Sequence, residues 1–574
     1  MNRFDRVFRR RLWKLVRPYW VSNLKWAALG LLTLIILISV ILKGSSVWFS
    51  YVNRDLMTAL TYRDQRTFFH NLLVVIIYNL VAAPITALGG YLTGKLIINW
   101  RQWLTERFLD DSFRQRAFYR ISSDPGIDNP DQRISEDLNT FVSFTVTFAL
   151  QVLEGVATGA AFLTVLWFIS PVLVGVLAVC VVMGSLLTIV IGRPLIGINF
   201  NQRRREADFR YALVGLRDNA EAIALYGGER REEANLLRRL YAAVQNFNLL
   251  IEWQRNLAFF TYGYDLLLPL VPFLILAPGF FAGRVEFGKI TQASAAFITL
   301  RISLSIIIDQ FNGLSSYAAV VERIGVYMEA CEDLPIQRAA APIAKLYEPE
   351  TQIETIEAHR VASEALTVTT PRLGKTLIRD LSFEVPSGEH LLIAGESGAG
   401  KTSMLRAVAG LWRSGSGRIV RPPLSEIMVL PQRPYMILGS LREQLCYPHA
   451  SEVSDEDLLA VLKIVNLADL PDRIGGLDVE VKWEDFLSLG EQQRIAFARL
   501  LLNRPAYAFL DEATSALDPV NEERLYKCLA SAGINVVSVG DQLRLRKYHH
   551  KVLELLGEGS WRIGASESQP KTNE

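Results

Sequence analysis

Residues 1–310 carry six long apolar runs, and these decide most of what the chain can become. About 20 apolar residues in a helix match the hydrocarbon thickness of one bilayer. Residues 26–42 make the clearest run, and 71–98 follow with Pro84 and Gly89-Gly90 inside. The runs 144–169 and 171–191 form a pair parted by Ser170-Pro171, and 257–281 is the fifth. Residues 288–308 form the sixth and weakest, which reads either as a span or as a buried helix. Half of the 574 residues are apolar, and the mean hydropathy is +0.20. These values describe a chain whose N-terminal half sits in lipid.

Charge sets the orientation. Arg3, Arg6, Arg9, Arg10, Arg11, Lys14 and Arg17 crowd the first residues, interleaved with Phe4, Val7, Leu12, Leu15 and Val16. Residues 1–20 therefore read as an amphipathic helix lying on the membrane surface. Its positive charge keeps it on the cytosolic side. An even number of spans returns the C-terminal part to the cytosol as well. Two polar excursions, 100–143 and 192–256, are too long for turns and are expected to prolong the spans as helices. Glu154, Asp265, Arg301 and Asp309 fall in or near spans. A charge in hydrocarbon is costly, so each should meet a partner or water. For Glu154 and Asp265 the favoured reading is a polar substrate path, with an internal ion pair as the alternative.

The net charge of +2 gives no support to a nucleic-acid partner. The four cysteines are far apart and form no C-x-x-C, against a disulfide framework or a zinc site. The N-terminus lacks the pattern of a cleaved secretory signal.

The chain divides by composition into a membrane part at 21–325, a proline-rich linker at 326–350, an ATP-binding domain at 351–566 and a polar tail at 567–574. In that domain an apolar strand near 390–394 enters Gly395-Glu396-Ser397-Gly398-Ala399-Gly400-Lys401-Thr402. A helical pattern then begins, with Ser403 in its first turn. Strand, glycine-rich loop and helix in this order form a phosphate-binding loop. Its backbone N–H groups and helix N-terminus face phosphates. Lys401 should reach the terminal phosphates of ATP and Thr402 should ligate Mg²⁺. The strand 507–510 ends in Asp511-Glu512, which suit a direct or indirect Mg²⁺ role and the base that polarises water. Ser515 to Asp518 make a tight turn.

Gln432 in Leu430-Pro431-Gln432-Arg433-Pro434, and the signature Leu487-Ser488-Leu489-Gly490-Glu491-Gln492-Gln493-Arg494, complete the series. In order and spacing these motifs resemble the ATP-binding cassette superfamily over roughly the last 220 residues. The resemblance implies an all-α six-helix transmembrane domain of ABC exporter type, followed by an α/β P-loop nucleotide-binding domain. It implies that Gln432 couples Mg²⁺ and the γ-phosphate to the membrane domain. It also implies that Ser488, Gly490 and Glu491 serve the ATP of a second copy, so the chain works as a homodimer or heterodimer.

Asn129-Pro130-Asp131-Gln132-Arg133-Ile134 and the segment 219–229, with Glu221 in it, are similar to segments of bacterial SbmA/BacA-related and peroxisomal fatty-acyl (subfamily D) transporters. That resemblance implies coupling roles for Asn129, Asp131, Gln132, Arg133 and Glu221. It implies transport of large hydrophilic solutes such as cobalamin or peptides, with uptake favoured and a bacterial inner membrane as the location. Fatty acyl or acyl-CoA cargo is the alternative, and a gating cassette with little turnover is a third reading. Two departures stand out. Asp541 occupies the position where cassettes usually carry a γ-phosphate histidine, and His549 and His550 lie too far downstream to replace it. No aromatic residue lies near 366–371 to stack on adenine.

Overall fold

Backbone polar groups that enter a bilayer must be satisfied within their own segment, which leaves helices or closed barrels. The computed structural model describes residues 6–122, 127, 129–332, 352–370, 374–449, 453–540 and 543–566. Asp541, residues 333–351, the tail 567–574 and the side chain of Asp309 lie outside the described residues. The chain forms two units, 1–337 and 338–574. The described residues of the first unit are helical, with no strand.

Its helices are α1 Arg6–Trp20, α2 Lys25–Thr61, α3 Gln65–Phe113, the short α4 Ala117–Ser122 and α5 Pro130–Gln132, then α6 Leu138–Ile169. They continue as α7 Pro171–Asp218, α8 Ala220–Tyr226, α9 Glu229–Leu267, α10 Leu270–Phe281, α11 Phe287–Asp309 and α12 Phe311–Cys331. Among the described residues, five stretches are long and apolar enough to cross a bilayer: Lys25–Thr61, Gln65–Phe113, Pro130–Ile169, Pro171–Asp218 and Glu229–Phe281. At about 1.5 Å per residue, α7 is roughly 70 Å long, more than twice the hydrocarbon thickness. The polar excursions are thus continuations of the spans, as their composition suggested. Asn246 of α9 holds α7 there, donating to the Ile198 carbonyl at 3.0 Å and to Gln202 Oε1 at 2.8 Å. The sixth expected span, α11, is interrupted by Lys289 and Arg301. It packs against α2 and α6, with Ala293, Ala296 and Phe297 fully buried.

The amphipathic helix α1 does form, but a membrane surface is not what covers its inner face. Arg11, Leu15 and Tyr19 are buried against protein. The Arg11 guanidinium donates to both Glu329 oxygens of α12 at 3.0 and 2.8 Å. Tyr19 stacks on Trp100 of α3 at 5.3 Å. The arm is therefore part of the helical core. Helix α12 runs to Cys331, past the expected boundary at 325.

Near the end of the first excursion a five-residue π-helical turn, Arg133–Asp137, leads into α6. Asp137, 4% exposed, accepts from Arg133 at 3.0 Å and from Arg323 of α12 at 2.9 and 2.5 Å. The carboxylate is compensated from two elements, by the buried Arg133 and the half-buried Arg323, so removing it takes the anion from a buried ion pair.

The second unit holds two sheets and the helices around them. Its elements are β1 Glu354–Glu357, β2 Val361–Thr369, β3 Thr376–Val385, β4 Leu391–Gly395, α13 Lys401–Val408, β5 Gly415–Arg421 and β6 Ile427–Leu430. Four helices follow: α14 Leu441–Cys446, α15 Asp455–Ile464, α16 Leu470–Ile474 and α17 Trp483–Phe486. The unit closes with α18 Leu489–Asn503, β7 Tyr507–Asp511, α19 Pro519–Ser531, β8 Asn535–Val539, β9 Lys551–Gly557 and β10 Ser560–Ala565. The larger sheet has the order β10-β9-β4-β8-β7-β6, and the smaller β1-β5-β2-β3. From β9 to β6 every pair of the larger sheet is parallel. The segments after β4, β6, β7 and β8 therefore leave one common edge, the edge that binds ligands in open parallel sheets.

Asp137→Ala is expected to lower the stability of the membrane unit by about 3–5 kcal/mol, the usual cost of breaking a buried pair on one side. Thermal unfolding of the full chain in detergent checks this, and an unchanged midpoint contradicts it.

Candidate functional site

The loop after β4 turns on glycine. Gly395, Gly398 and Gly400 have φ of +146°, +85° and +103°, a region that side chains other than hydrogen resist. A Cβ at Gly395 would lie 2.4 Å from the Leu555 carbonyl oxygen, so the strand end admits nothing larger. Glu396, Ser397 and Gly398 are exposed, while Ala399, Gly400 and Lys401 are buried. Lys401 folds its ammonium back onto the Gly395 carbonyl and reaches the Glu396 carbonyl at 3.4 Å. Met404, Leu405 and Val408 anchor α13 in the core, which fixes the helix N-terminus at the sheet edge.

Thr402 Oγ1 donates to Asp511 Oδ1 at 3.3 Å. Burial pushes the Asp511 carboxyl above the usual range; the Thr402 hydrogen bond opposes this, and neighbouring Glu512 adds to it. A cation would relieve that strain, so the Thr402–Asp511 pair fits Mg²⁺. The next residue, Glu512, has φ +48°, a left-handed conformation rare outside glycine. Its N–H donates to the Val539 carbonyl at 3.1 Å. Gln432 Nε2 donates to Glu512 Oε2 at 3.0 Å. Residues that are 80 apart in sequence thus meet because β6 and β7 pair in parallel.

Ser488 caps α18, accepting from the Glu491 N–H while Glu491 accepts from the Ser488 N–H at 2.9 Å. Such a reciprocal box satisfies two helix-end donors. Burial alone would raise the Glu491 carboxyl, but Arg473 at 2.6 Å and the Ser488 donors hold it low. A Cβ on Gly490 would come 3.0 Å from the Ala516 carbonyl oxygen. Among the described contacts, none joins Ser488 or Gly490 to the phosphate loop of the same chain.

Of the two downstream histidines, His549 is buried in the core and His550 is exposed. His549 is 6% exposed; Nδ1–H donates to the Leu545 carbonyl at 2.7 Å, leaving Nε2 to accept from Ser538 Oγ at 2.8 Å. His550 Nδ1 accepts from the His390 N–H at 3.0 Å. Strand β8 ends at Val539, beside Ile393 and Asp511. At the aromatic-poor strand β2, Trp412 Nε1 donates to the Thr369 carbonyl at 2.8 Å.

In the membrane unit, α2, α3 and α6 enclose a cavity of about 690 Å³. Ser39, Lys43, Tyr78, Thr86, Gln151 and Glu154 line it. Glu154 accepts from Ser39 Oγ at 2.9 Å and pairs with Lys43 at 3.4 Å. Lys43 was not picked out in sequence, because it merely ends the first apolar run. Asp265, which is exposed, instead pairs with Arg301 at 3.2 Å and does not line this cavity. Of the five expected coupling residues, Arg133 is buried on Asp137, whereas Asn129, Asp131 and Glu221 are exposed and Gln132 is half-buried. Asn129 stands at φ +44°. Helix α8 also exposes Leu225 and Tyr226, at 80 and 89%.

Two family descriptions match: "ABC transporter transmembrane region 2" over residues 15–281 and "ABC transporter" over 378–515. An uncharacterized ABC transporter ATP-binding protein of Synechocystis is 44% identical over 94% of this chain and 82% of its own length. The chain belongs to the ABC transporter family. Its relatives include "ABC transporter D family member 2, chloroplastic" of Arabidopsis thaliana, 36% identical over 98% of this chain and 88% of that protein. They also include "Lysosomal cobalamin transporter ABCD4" of Homo sapiens, 32% identical over 82% of each. The fold is that of a solved bacterial Atm1-family ABC exporter with ATP bound, at a TM-score of 0.71 and 17% identity over 95% of this chain and 96% of that one. This ABC transporter is an integral membrane half-transporter, with one transmembrane region and one ATP-binding, ATP-hydrolysing cassette. That architecture implies dimerisation.

Burial pushes the His549 imidazole down to about 4, against about 6.5 in the unfolded chain. Between these values the unfolded state holds the extra proton, so stability falls as pH falls, by about 3 kcal/mol across the window. His549→Gln keeps a polar side chain and loses the titration. Melting midpoints of the full chain from pH 6.5 down to 4.5 should drop less steeply in the variant; equal slopes contradict the assignment.

Proposed function

We propose that two copies of this chain form a homodimer that uses ATP to move large hydrophilic solutes across a bacterial inner membrane. The observation that carries the cargo class is the Lys43–Glu154 pair and the hydroxyl groups set in the mixed polar and apolar lining of the cavity along α2, α3 and α6. An ion pair and a set of hydroxyl groups in a span are expensive unless water or polar cargo meets them. The cobalamin transporter among the relatives points the same way. Preference for uptake rests on the resemblance to SbmA/BacA-related transporters alone, and the inner membrane on a bacterial relative, "Inner membrane ABC transporter ATP-binding protein YddA" of Escherichia coli, 29% identical over 91% of this chain and 94% of that protein.

In this reading the residues 395–403 cradle the phosphates of ATP, with Lys401 held ready by the Gly395 and Glu396 carbonyls. Thr402, Asp511 and Gln432 would hold Mg²⁺, which when bound spreads the phosphate charge. Glu512 takes the proton of the attacking water, and its bond from Gln432 keeps its carboxylate aimed. Ser488, Gly490 and Glu491 of one copy close the site of the other. Asn129, Asp131, Gln132, Arg133 and Glu221, with the exposed Leu225 and Tyr226, carry that closure to the spans. Asp541, placed after β8, would add negative charge near the γ-phosphate and slow basal turnover.

One observation favours the acyl alternative. A second cavity of about 420 Å³ between α6, α7 and α11 is lined by Val156, Leu163, Leu177 and Ile306 and is apolar. Glu154 and Gly155 are adjacent, so α6 turns one face to each cavity. The test is ATPase stimulation in proteoliposomes, with cyanocobalamin and an octapeptide set against palmitoyl-CoA. Stimulation by the hydrophilic compounds, lowered about tenfold or more in Glu154→Ala at unchanged basal rate, is expected; a lost cargo contact of 1.4 kcal/mol suffices for that factor. Stimulation by palmitoyl-CoA alone overturns the cargo reading.

A further inference from the structure

Helix α18 holds the signature at its start and a fully buried amide one turn further on. Gln493 is 0% exposed. Its Nε2 donates to the Gln432 carbonyl at 3.0 Å and to Ser515 Oγ at 3.3 Å, and its Oε1 accepts from the Ala516 N–H at 3.1 Å. Both amide hydrogens and the amide oxygen are thereby used. Gln432 in turn bonds Glu512 through its side chain, and the Ser515 N–H donates to the Glu512 carbonyl at 3.0 Å. The bonds close a ring: Gln493, Gln432, Glu512, Ser515 and back to Gln493.

The ring is supported on both sides. Gly490 abuts the Ala516 carbonyl so closely that a Cβ would have only 3.0 Å. Further along α18, Arg499 is 4% exposed and donates to the Tyr435 carbonyl at 2.8 Å, the Gln444 carbonyl at 2.6 Å and Gln444 Oε1 at 2.7 Å. The segment from Gln432 to Gln444 is thus gripped at three points by the helix that begins with the signature. Gln493 itself is fully buried, so breaking its bonds would leave a buried amide unpaired, which ties the exposed Gln432 and Ser515 to α18.

We propose that Gln493 is a positioning residue that joins the Glu512–Gln432 pair, the 515–516 turn and the signature helix into one body. A change at the ATP of one subunit then resets the signature that this subunit offers to the other. The inference rests on the reading of Glu512, Gln432 and Ser488 given above. It goes beyond that reading in naming the residue that ties the two halves of the site within a chain.

The test uses the full-length protein in nanodiscs. Gln493→Met keeps the side-chain length and removes all three bonds; Ser515→Ala removes one partner without adding bulk and decides the matter where Gln493→Met does not fold. Glu512→Gln runs beside them. For each, kcat under saturating Mg-ATP, affinity for a fluorescent ATP analogue without Mg²⁺, and the melting midpoint are measured. Gln493→Met is expected to lower kcat about 10- to 100-fold, as small misplacements do. Ser515→Ala lowers it less, and both keep parental nucleotide affinity. Parental kcat in the variants, or a kcat loss that follows lost affinity and lost melting temperature, overturns the proposal. Glu512→Gln inactive beside a fully active Gln493→Met overturns this inference alone. Glu512→Gln at the parental rate overturns the reading of Glu512 as base, and the inference with it.

Discussion

Parallel pairing of β4, β8, β7 and β6 brings four chain segments to one edge, and every contact of the nucleotide site follows from it. The register sets Leu430 beside Leu510, Leu510 beside Ser538 and Asp511 beside Val539. Gln432, Glu512 and the end of β8 then emerge within a few ångströms of one another and of the loop after β4. Glycines that tolerate positive φ let that loop wrap back over Lys401, and Glu512 accepts a left-handed conformation in the same place. Backbone strain at such a position persists only because the surrounding sheet holds it.

The membrane unit obeys a different constraint. Several charges of its helices are paired: Lys43 with Glu154, Arg301 with Asp265, and Arg11 with Glu329. The first of these opens onto a cavity, whereas Arg11 and Glu329 tie two packed helices together. Long helices prolong the spans well past the bilayer and end in α8, whose exposed Leu225 and Tyr226 form an apolar tip.

Local motifs were legible in the sequence. The phosphate loop and the strand before Asp511-Glu512 depend on neighbours a few residues away, and each lies where its pattern placed it. Contacts between distant residues were not. Nothing in the run 26–42 marks Lys43 as the partner of Glu154, more than 100 residues on. The hydrophobic face of α1 was visible, but amphipathicity does not say whether lipid or α12 covers it. Gln493 read as one more letter of the signature, because its three partners come from two other segments. Sequence distance alone set the histidines apart from the phosphate loop; that His549 is buried on Ser538, while the exposed His550 accepts from the His390 N–H, took the fold to see.

Sharing of each ATP between two copies is the central claim, and mixed dimers measure it. Lys401→Ala chains alone and Ser488→Arg chains alone should each lack turnover, since every site then misses one half. A purified dimer of one Lys401→Ala chain with one Ser488→Arg chain retains one intact site in which Lys401 and Ser488 come from different copies. The account predicts that this mixed dimer hydrolyses ATP where both parents do not. No turnover in the mixed dimer, beside about half the parental turnover in a mixed dimer of doubly substituted and unsubstituted chains, would contradict it and place each site within one chain.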